Sequence, residues 1–216
     1  MIIGAGAQGR VALDILRDCP EFDEYEFLDD NTEIWETLIN GVPVKGSIAQ
    51  ITSYDKNKFK AVIALGNPPA RKKLAELGVF NGIPFANIVH PTAYLASSAS
   101  AGIGNTICAQ AVVNSNVQLG KHGLINNAAV IEHDCCLGDY VTICAGALVG
   151  GRVELGDGCF ISTGSILLPR IKIGQNAIVA AGSVVTKDVP ANTLVMHSPA
   201  REKQLVEPDF NWKKLL

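Results

Sequence analysis

LGKHGLINNAAVIEHDCCLGDYVTICAGALVGGRVELGDGCFISTGSILLPRIKIGQNAIVAAGSVV, residues 119–185, is the stretch that decides the fold. Every sixth residue in it is aliphatic: Leu119, Ile125, Ile131, Leu137, Ile143, Val149, Leu155, Ile161, Leu167, Ile173, Val179 and Val185. An amphipathic helix repeats about every 3.6 residues and a half-buried strand about every two, so a sustained period of six belongs to neither. Self-similarity at a fixed period marks a solenoid, and a hexapeptide period marks a parallel β-helix. Two residues before each aliphatic the side chain is mostly small or β-branched, as at Val117, Gly123, Ala129, Cys135, Val141 and Ala147. A short strand turning a tight corner into a narrow core needs such residues. Leu-Gly or Ile-Gly recurs at Leu119-Gly120, Leu137-Gly138, Leu155-Gly156 and Ile173-Gly174, each 18 residues apart. Eighteen residues are three hexapeptides, so one turn of the coil has three faces and the prism is triangular.

Outside the repeat, the composition bounds the partners. The chain has 216 residues, room for one large or two small domains, and its net charge of −3 makes nucleic acid or an anionic membrane surface a poor partner. No apolar run reaches the length of a membrane span, and no signal-peptide pattern opens the chain. The six cysteines do not form a disulfide framework. Cys135 and Cys159 fall on the inward phase of the coil, and a cytoplasmic protein with reduced thiols is expected.

Residues 1–87 have no hexapeptide phase and read as alternating strands and helices, about half of a doubly wound α/β domain. Ile2-Ile3 ends a strand, Val11 to Arg17 is helical, Tyr25 to Leu28 and Ala61 to Leu65 are strands, and a helix runs through Arg71 to Leu77. Only Met1, Ile2 and Ile3 precede the first glycine, so the natural chain is expected to extend a few residues upstream. Gly4, Gly6 and Gly9 follow the first strand as G-x-G-x-x-G, and Asp29-Asp30 stand about 20 residues on, after the second. Glycine there lets backbone approach a ligand, the helix N-terminus receives a phosphate, and the acids accept from a ribose or a base. Half a dinucleotide fold favours a nucleotide sugar over NAD; the competing reading is a glycine turn that merely packs helix on strand. Gly66-Asn67, past the third strand, should meet the same crevice. Arg71 is in reach of a phosphate there or is a solvated surface residue.

Among His90, His122, His133 and His197, His133 stands out. It lies two positions past Ile131, at a corner of the coil, between Glu132 and Asp134. A carboxylate bonded to one ring nitrogen fixes the tautomer and raises basicity at the other, which is what amine acylation requires of a base. The competing reading is a surface histidine beside a chance acid. His90 precedes a proline and reads as structural, and His122 reads as surface.

A nucleotide-binding α/β half fused to a hexapeptide coil, with Val-Ile-Glu-His-Asp at 130–134, resembles the bacterial nucleotide-sugar N-acetyltransferases of bacillosamine and perosamine synthesis, within the sialic-acid O-acetyltransferase-like family. The coil resembles the left-handed parallel β-helix of the hexapeptide acyltransferase superfamily. The resemblance implies a nucleotide-sugar-binding domain at 1–87, a left-handed β-helix at 88–201 and a C-terminal tail at 202–216, in a homotrimer with active sites between subunits. It makes His133 the general base and Asp134 the acid that tunes it. It places the nucleotide-linked amino sugar, with UDP as the expected carrier, at Gly6, Ala7, Gln8, Asp29, Asp30, Gly66 and Asn67. Acetyl-CoA would lie against Thr142, Gly151, Thr163 and Ala181, with no metal. Gly151 is 18 residues from His133 and Ala181 is 18 from Thr163, so each pair should stack. The family often has histidine where Gln8 stands, and a relative has glutamate at Asp134 and histidine at Thr142.

Three other functions compete. A γ-type carbonic anhydrase needs an H-x-x-x-x-H pair for zinc, and His122 and His133 are 11 apart. A non-catalytic trimeric sugar-nucleotide-binding protein has no use for His133-Asp134. An O-acetyltransferase would share every residue above; the nucleotide half and the better nucleophilicity of an amine favour N-acetylation.

Overall fold

In the amino-terminal half, three pairs of buried apolar residues build the centre of a small, mostly parallel sheet. β1 (Ile2–Ile3) lies between β2 (Phe27–Leu28) and β5 (Val62–Ile63). β4 (Val42–Gly46) lies parallel to β2, and β3 (Leu38–Ile39) folds back antiparallel on β4, giving the order β3-β4-β2-β1-β5. The computed structural model describes residues 1–80, 82–207 and 210–212. Strands buried on both faces read as continuous apolar runs, which is why the sequence shows no alternation here.

Two helices cover this sheet. α1 (Ala7–Arg17) buries Ala12, Leu13, Ile15 and Leu16 and starts four residues before the apolar stripe does, because Gly6 is its N-cap. α2 (Pro68–Ala75) starts three residues earlier than its sequence reading and ends two earlier. Asn67 Oδ1 accepts from Ala70 N at 2.8 Å, and Pro68 and Pro69 occupy the first turn, where a missing N–H costs nothing.

From Ile88 to Val185 the chain coils in strands two residues long, each paired in parallel with a strand one turn away, as in the ladder Val112, Val130, Leu148, Ile166, Val184. Beyond it, Thr193–Met196 continues the coil and Arg201–Leu205 folds back antiparallel on it. The aliphatic of each hexapeptide points inward and none from Leu119 to Val185 is more than 7% exposed; the residue two before is buried as well. Three residues past each aliphatic the backbone turns through the left-handed region, with φ between 52° and 67° from His122 through Asp134 to Gly182. Non-glycine residues rarely adopt that conformation, asparagine and aspartate least reluctantly. The repeat stops at Val185 because the next turn is two residues shorter: Ile178 pairs with Leu194 and Ile173 with Val189, each 16 residues on. The fold expected from the sequence, an α/β half followed by a parallel β-helix, is the one observed.

The residue before each inward aliphatic points outward and gives each face its character. The first face carries Thr106, Leu124, Thr142, Phe160 and Ile178, all buried. The amino-terminal half covers its early turns, where Cys108 and Leu124 share a core with α1. The C-terminal segment covers its late turns, with Trp212 edge-on to Phe160 at 5.5 Å. The second face carries Tyr94, Val112, Val130, Leu148, Ile166 and Val184, apolar yet open, with Tyr94 56% and Ile166 38% exposed. The third carries Ser100, Gln118, Cys136, Glu154 and Lys172, a polar and exposed row.

Candidate active site

The residues expected to face a nucleotide lie on loops at one edge of the amino-terminal sheet. β1 sits between β2 and β5, so the loops after these three strands share one edge of the sheet. Gly4 turns at φ +100°, and a Cβ on Gly9 would stand 2.2 Å from Gly4 O, so helix and loop can approach only as glycines. Asp29 braces this loop: Oδ2 accepts from Ala5 N at 2.8 Å and Oδ1 from Asn31 N at 2.9 Å. Asp30, more exposed, accepts from Ile48 N at 3.0 Å. Gly6 gives α1 no side-chain cap, so the first-turn N–H groups of Ala7 and Gln8 remain for an anion. Gln8 Nε2 is buried with no hydrogen-bond partner among the described residues, a donor that an acceptor on a ligand would satisfy.

The coil carries the other residues of the candidate site. His133 is exposed at the corner between the apolar and polar faces, and its Nδ1 lies 2.9 Å from Asp134 Oδ2. Asn116, one turn earlier, donates to Asp134 Oδ1 at 3.0 Å, and Arg152, one turn later, brings Nε to 3.5 Å of Oδ2. The contact with His133, then that with Asn116, holds the Asp134 carboxyl below its usual range, with Arg152 adding to it. An ionised Asp134 accepts the Nδ1 proton, which leaves the Nε2 lone pair free. Gly151 lies directly beneath: a Cβ there would stand 2.9 Å from His133 Nε2.

Thr163 and Ala181 stack on another corner, where Gly182 N bonds Thr163 O at 2.9 Å, and both are exposed. That corner borders the apolar face on the edge opposite His133. Thr142 does not join them. It is 1% exposed on the covered face, and its hydroxyl accepts from Arg71 Nη2 at 2.8 Å, which corrects the expectation that its side chain meets acetyl-CoA. Arg71 likewise reaches no phosphate and is not a surface residue: it is 2% exposed between the two halves. His122 is buried too, stacked on Tyr140 at 5.4 Å and edge-on to Phe85 at 4.7 Å. His90 is a junction residue, with Nε2 3.3 Å from Asp18 and Nδ1 against the Thr92 hydroxyl. A concavity of about 820 Å³ between α2 and the C-terminal segment is lined by Lys72, Tyr140, Asn176 and Trp212 and holds none of the expected site residues. His133 instead borders the open apolar face.

Comparison with known proteins gives this architecture its class. Residues 1–77 match the PglD N-terminal domain family, and 152–187 match the bacterial transferase hexapeptide family of six repeats. No curated protein sequence matches the chain. Among solved structures, the acetyltransferase domain of PglB from Neisseria gonorrhoeae, in complex with acetyl coenzyme A, is 31% identical with a TM-score of 0.89, covering 94% of this chain and 97% of that one. Perosamine N-acetyltransferase from Caulobacter crescentus, in complex with CoA and GDP-perosamine, is 28% identical with a TM-score of 0.88, over 94% and 95%. WeeI from Acinetobacter baumannii is 29% identical with a TM-score of 0.85, over 94% and 98%. The protein is thus an acyltransferase built on the left-handed hexapeptide β-helix. More narrowly, the chain belongs to the family of bacterial sugar N-acetyltransferases that join this coil to a PglD-type amino-terminal domain.

Proposed function

We propose that this enzyme transfers acetyl from acetyl-CoA directly to the amine of a nucleotide-linked 4-amino sugar, with His133 as general base. The observation that carries the reading is the His133–Asp134 pair: Nδ1 engaged at 2.9 Å, Nε2 free, and a glycine beneath the ring. As the amine nitrogen bonds the acetyl carbon and the carbon–sulfur bond breaks, Nε2 takes the amine proton and returns it to the departing thiolate. Asp134 stabilises the imidazolium in between. No covalent enzyme intermediate is needed, and the thiol of Cys135 is turned to Gly150 O at 3.2 Å, away from such a role.

The nucleotide would occupy the edge formed by Gly6, Ala7, Gln8, Asp30, Gly66 and Asn67, its diphosphate at the start of α1 and an acceptor atom at Gln8 Nε2. Asp29 acts behind the loop, since both its oxygens already hold backbone N–H groups. The expected carrier is UDP; the GDP-perosamine bound by the Caulobacter relative makes GDP the second candidate. The acetyl donor would run along the corner of Thr163 and Ala181 toward Gly151. In one chain these residues flank opposite edges of the apolar face, so the site is complete only when that face packs on another coil. A homotrimer with active sites between subunits satisfies this, and burying Val112, Val130, Leu148 and Ile166 supplies its driving force.

The test is to offer acetyl-CoA with UDP-, dTDP- and GDP-linked 4-amino sugars and their 4-hydroxy counterparts, following mass gain of one acetyl group. Acetylation of one amino sugar and of no hydroxy counterpart supports the reading. Acetylation of hydroxyls alone would make the protein an O-acetyltransferase, and binding without transfer would make it a non-catalytic sugar-nucleotide protein.

A further inference from the structure

Arg71 is a buried cation that the proposed chemistry does not use. Its guanidinium is 2% exposed and has no carboxylate at ion-pair distance among the described residues. Such a group is costly to bury unless each of its N–H donors is met. Here they are met from two directions. Nη1 donates to Leu65 O at 2.8 Å and to Gly66 O at 3.3 Å, the carbonyls of the loop after β5 that belongs to the nucleotide edge. Nε donates to His122 O at 2.7 Å, and Nη2 to Tyr140 O at 2.9 Å and Thr142 Oγ1 at 2.8 Å, all on the coil.

The coil partners are one turn apart. His122 and Tyr140 sit 18 residues apart on the same corner, and the revolution between them contains His133 and Asp134. Arg71 therefore grips both ends of the one turn that presents the base. On its other side it grips the tip of β5, and that tip touches the glycine loop: a Cβ on Gly4 would stand 3.1 Å from Ala64 O. A planar fork with five donors can span these sites at once, whereas a lysine ammonium offers its donors from a single point.

We propose that Arg71 is a positioning residue that sets the nucleotide loop against the His133-bearing turn, so that the acceptor amine and the base meet at transfer distance. The proposal rests on the acetyltransferase reading above. Misplacing reacting groups by about 1 Å costs on the order of 10²-fold in rate. Arg71→Met and Arg71→Lys are expected to lower kcat by about that factor and to raise KM for the sugar nucleotide. KM for acetyl-CoA, bound on the coil alone, stays unchanged. Thr142→Val, which removes one acceptor and keeps the fold if Arg71→Met does not, shows a smaller effect of the same pattern.

Hydrogen exchange provides an arm that needs no turnover. In the variants, amides of 62–75 and 122–142 exchange faster while those of 160–185 keep their protection. Unchanged kcat and KM in Arg71→Met would overturn the proposal. So would faster exchange along the whole chain with both KM values intact, the signature of a merely stabilising residue. Absence of transfer by the unaltered enzyme on every amino sugar is a failure of the acetyltransferase reading, and it is distinguishable because the exchange pattern still reports whether Arg71 joins the two halves.

Discussion

At the scale of single residues, the proposed chemistry depends on how one imidazole is held. Asp134 fixes His133 through Nδ1, and Asn116 and Arg152 hold Asp134 from the turns on either side. Replacing His133 by alanine should lower turnover by about 10²–10⁴-fold, the usual worth of a general base, with sugar-nucleotide affinity retained in calorimetry. Gly151→Ala would put a methyl 2.9 Å from Nε2 and displace the ring. We expect about a 10²-fold loss of kcat with a thermal midpoint close to that of the parent; normal turnover would show that the ring does not need its place over Gly151. The corner position of the histidine and its acid was legible because they stand two and three places past an inward aliphatic, where a hexapeptide turns. The same phase separates Thr163 from Thr142. Thr163 is two past Ile161, at a corner like His133, while Thr142 immediately precedes Ile143 and so points outward from the middle of a face. A face residue meets whatever covers that face, and here that is Arg71.

At the scale of elements, two junction features carry measurable stability. Asn67 caps α2, and Asn67→Ala should cost about 1 kcal/mol in urea unfolding, independent of any loss of nucleotide binding. His122 lies between Phe85 and Tyr140 with its pKa lowered to about 4, first by burial and then by the Arg71 charge, with Lys121 opposing protonation and Asp139 favouring it. The unfolded chain therefore binds a proton on His122 that the native chain does not between pH 6.5 and about 4. Stability from this residue is fully present above pH 6.5 and is lost as pH falls toward 4, on the order of 3 kcal/mol in all. His122→Phe keeps a ring in the stack, so its thermal midpoint should fall less than the parent's over that interval; parallel curves would refute the assignment. The structural reading of His90 was legible, but the places of His122 and Arg71 in this junction were not. A lone histidine at a corner and a lone arginine on a helix look like surface residues until the α/β half is placed on the first face of the coil.

At the scale of the whole molecule, the period of six gave the prism and its core, because burial inside a solenoid depends only on the hexapeptide phase. The use of each face needs the period of 18. Read that way, Leu124, Thr142, Phe160 and Ile178 form the covered row, Val112, Val130, Leu148 and Ile166 the open apolar row, and Gln118, Cys136, Glu154 and Lys172 the polar row. An open apolar row along a prism marks an association surface. In the proposed homotrimer, Leu148→Asp with Ile166→Asp is expected to shift the sedimentation profile from trimer to monomer and to abolish transfer, by separating His133 of one subunit from the Thr163–Ala181 corner of the next. A monomer that retained full activity would place the complete site within one chain.

The most direct test of the central claim is release of CoA thiol from acetyl-CoA, followed with the preferred nucleotide-linked amino sugar, for the parent enzyme and His133→Ala side by side. Steady release by the parent, reduced about 10²–10⁴-fold in the variant while the sugar nucleotide still binds, is the expected result. Equal release by both proteins would contradict the account, since the proton would then leave the amine without His133.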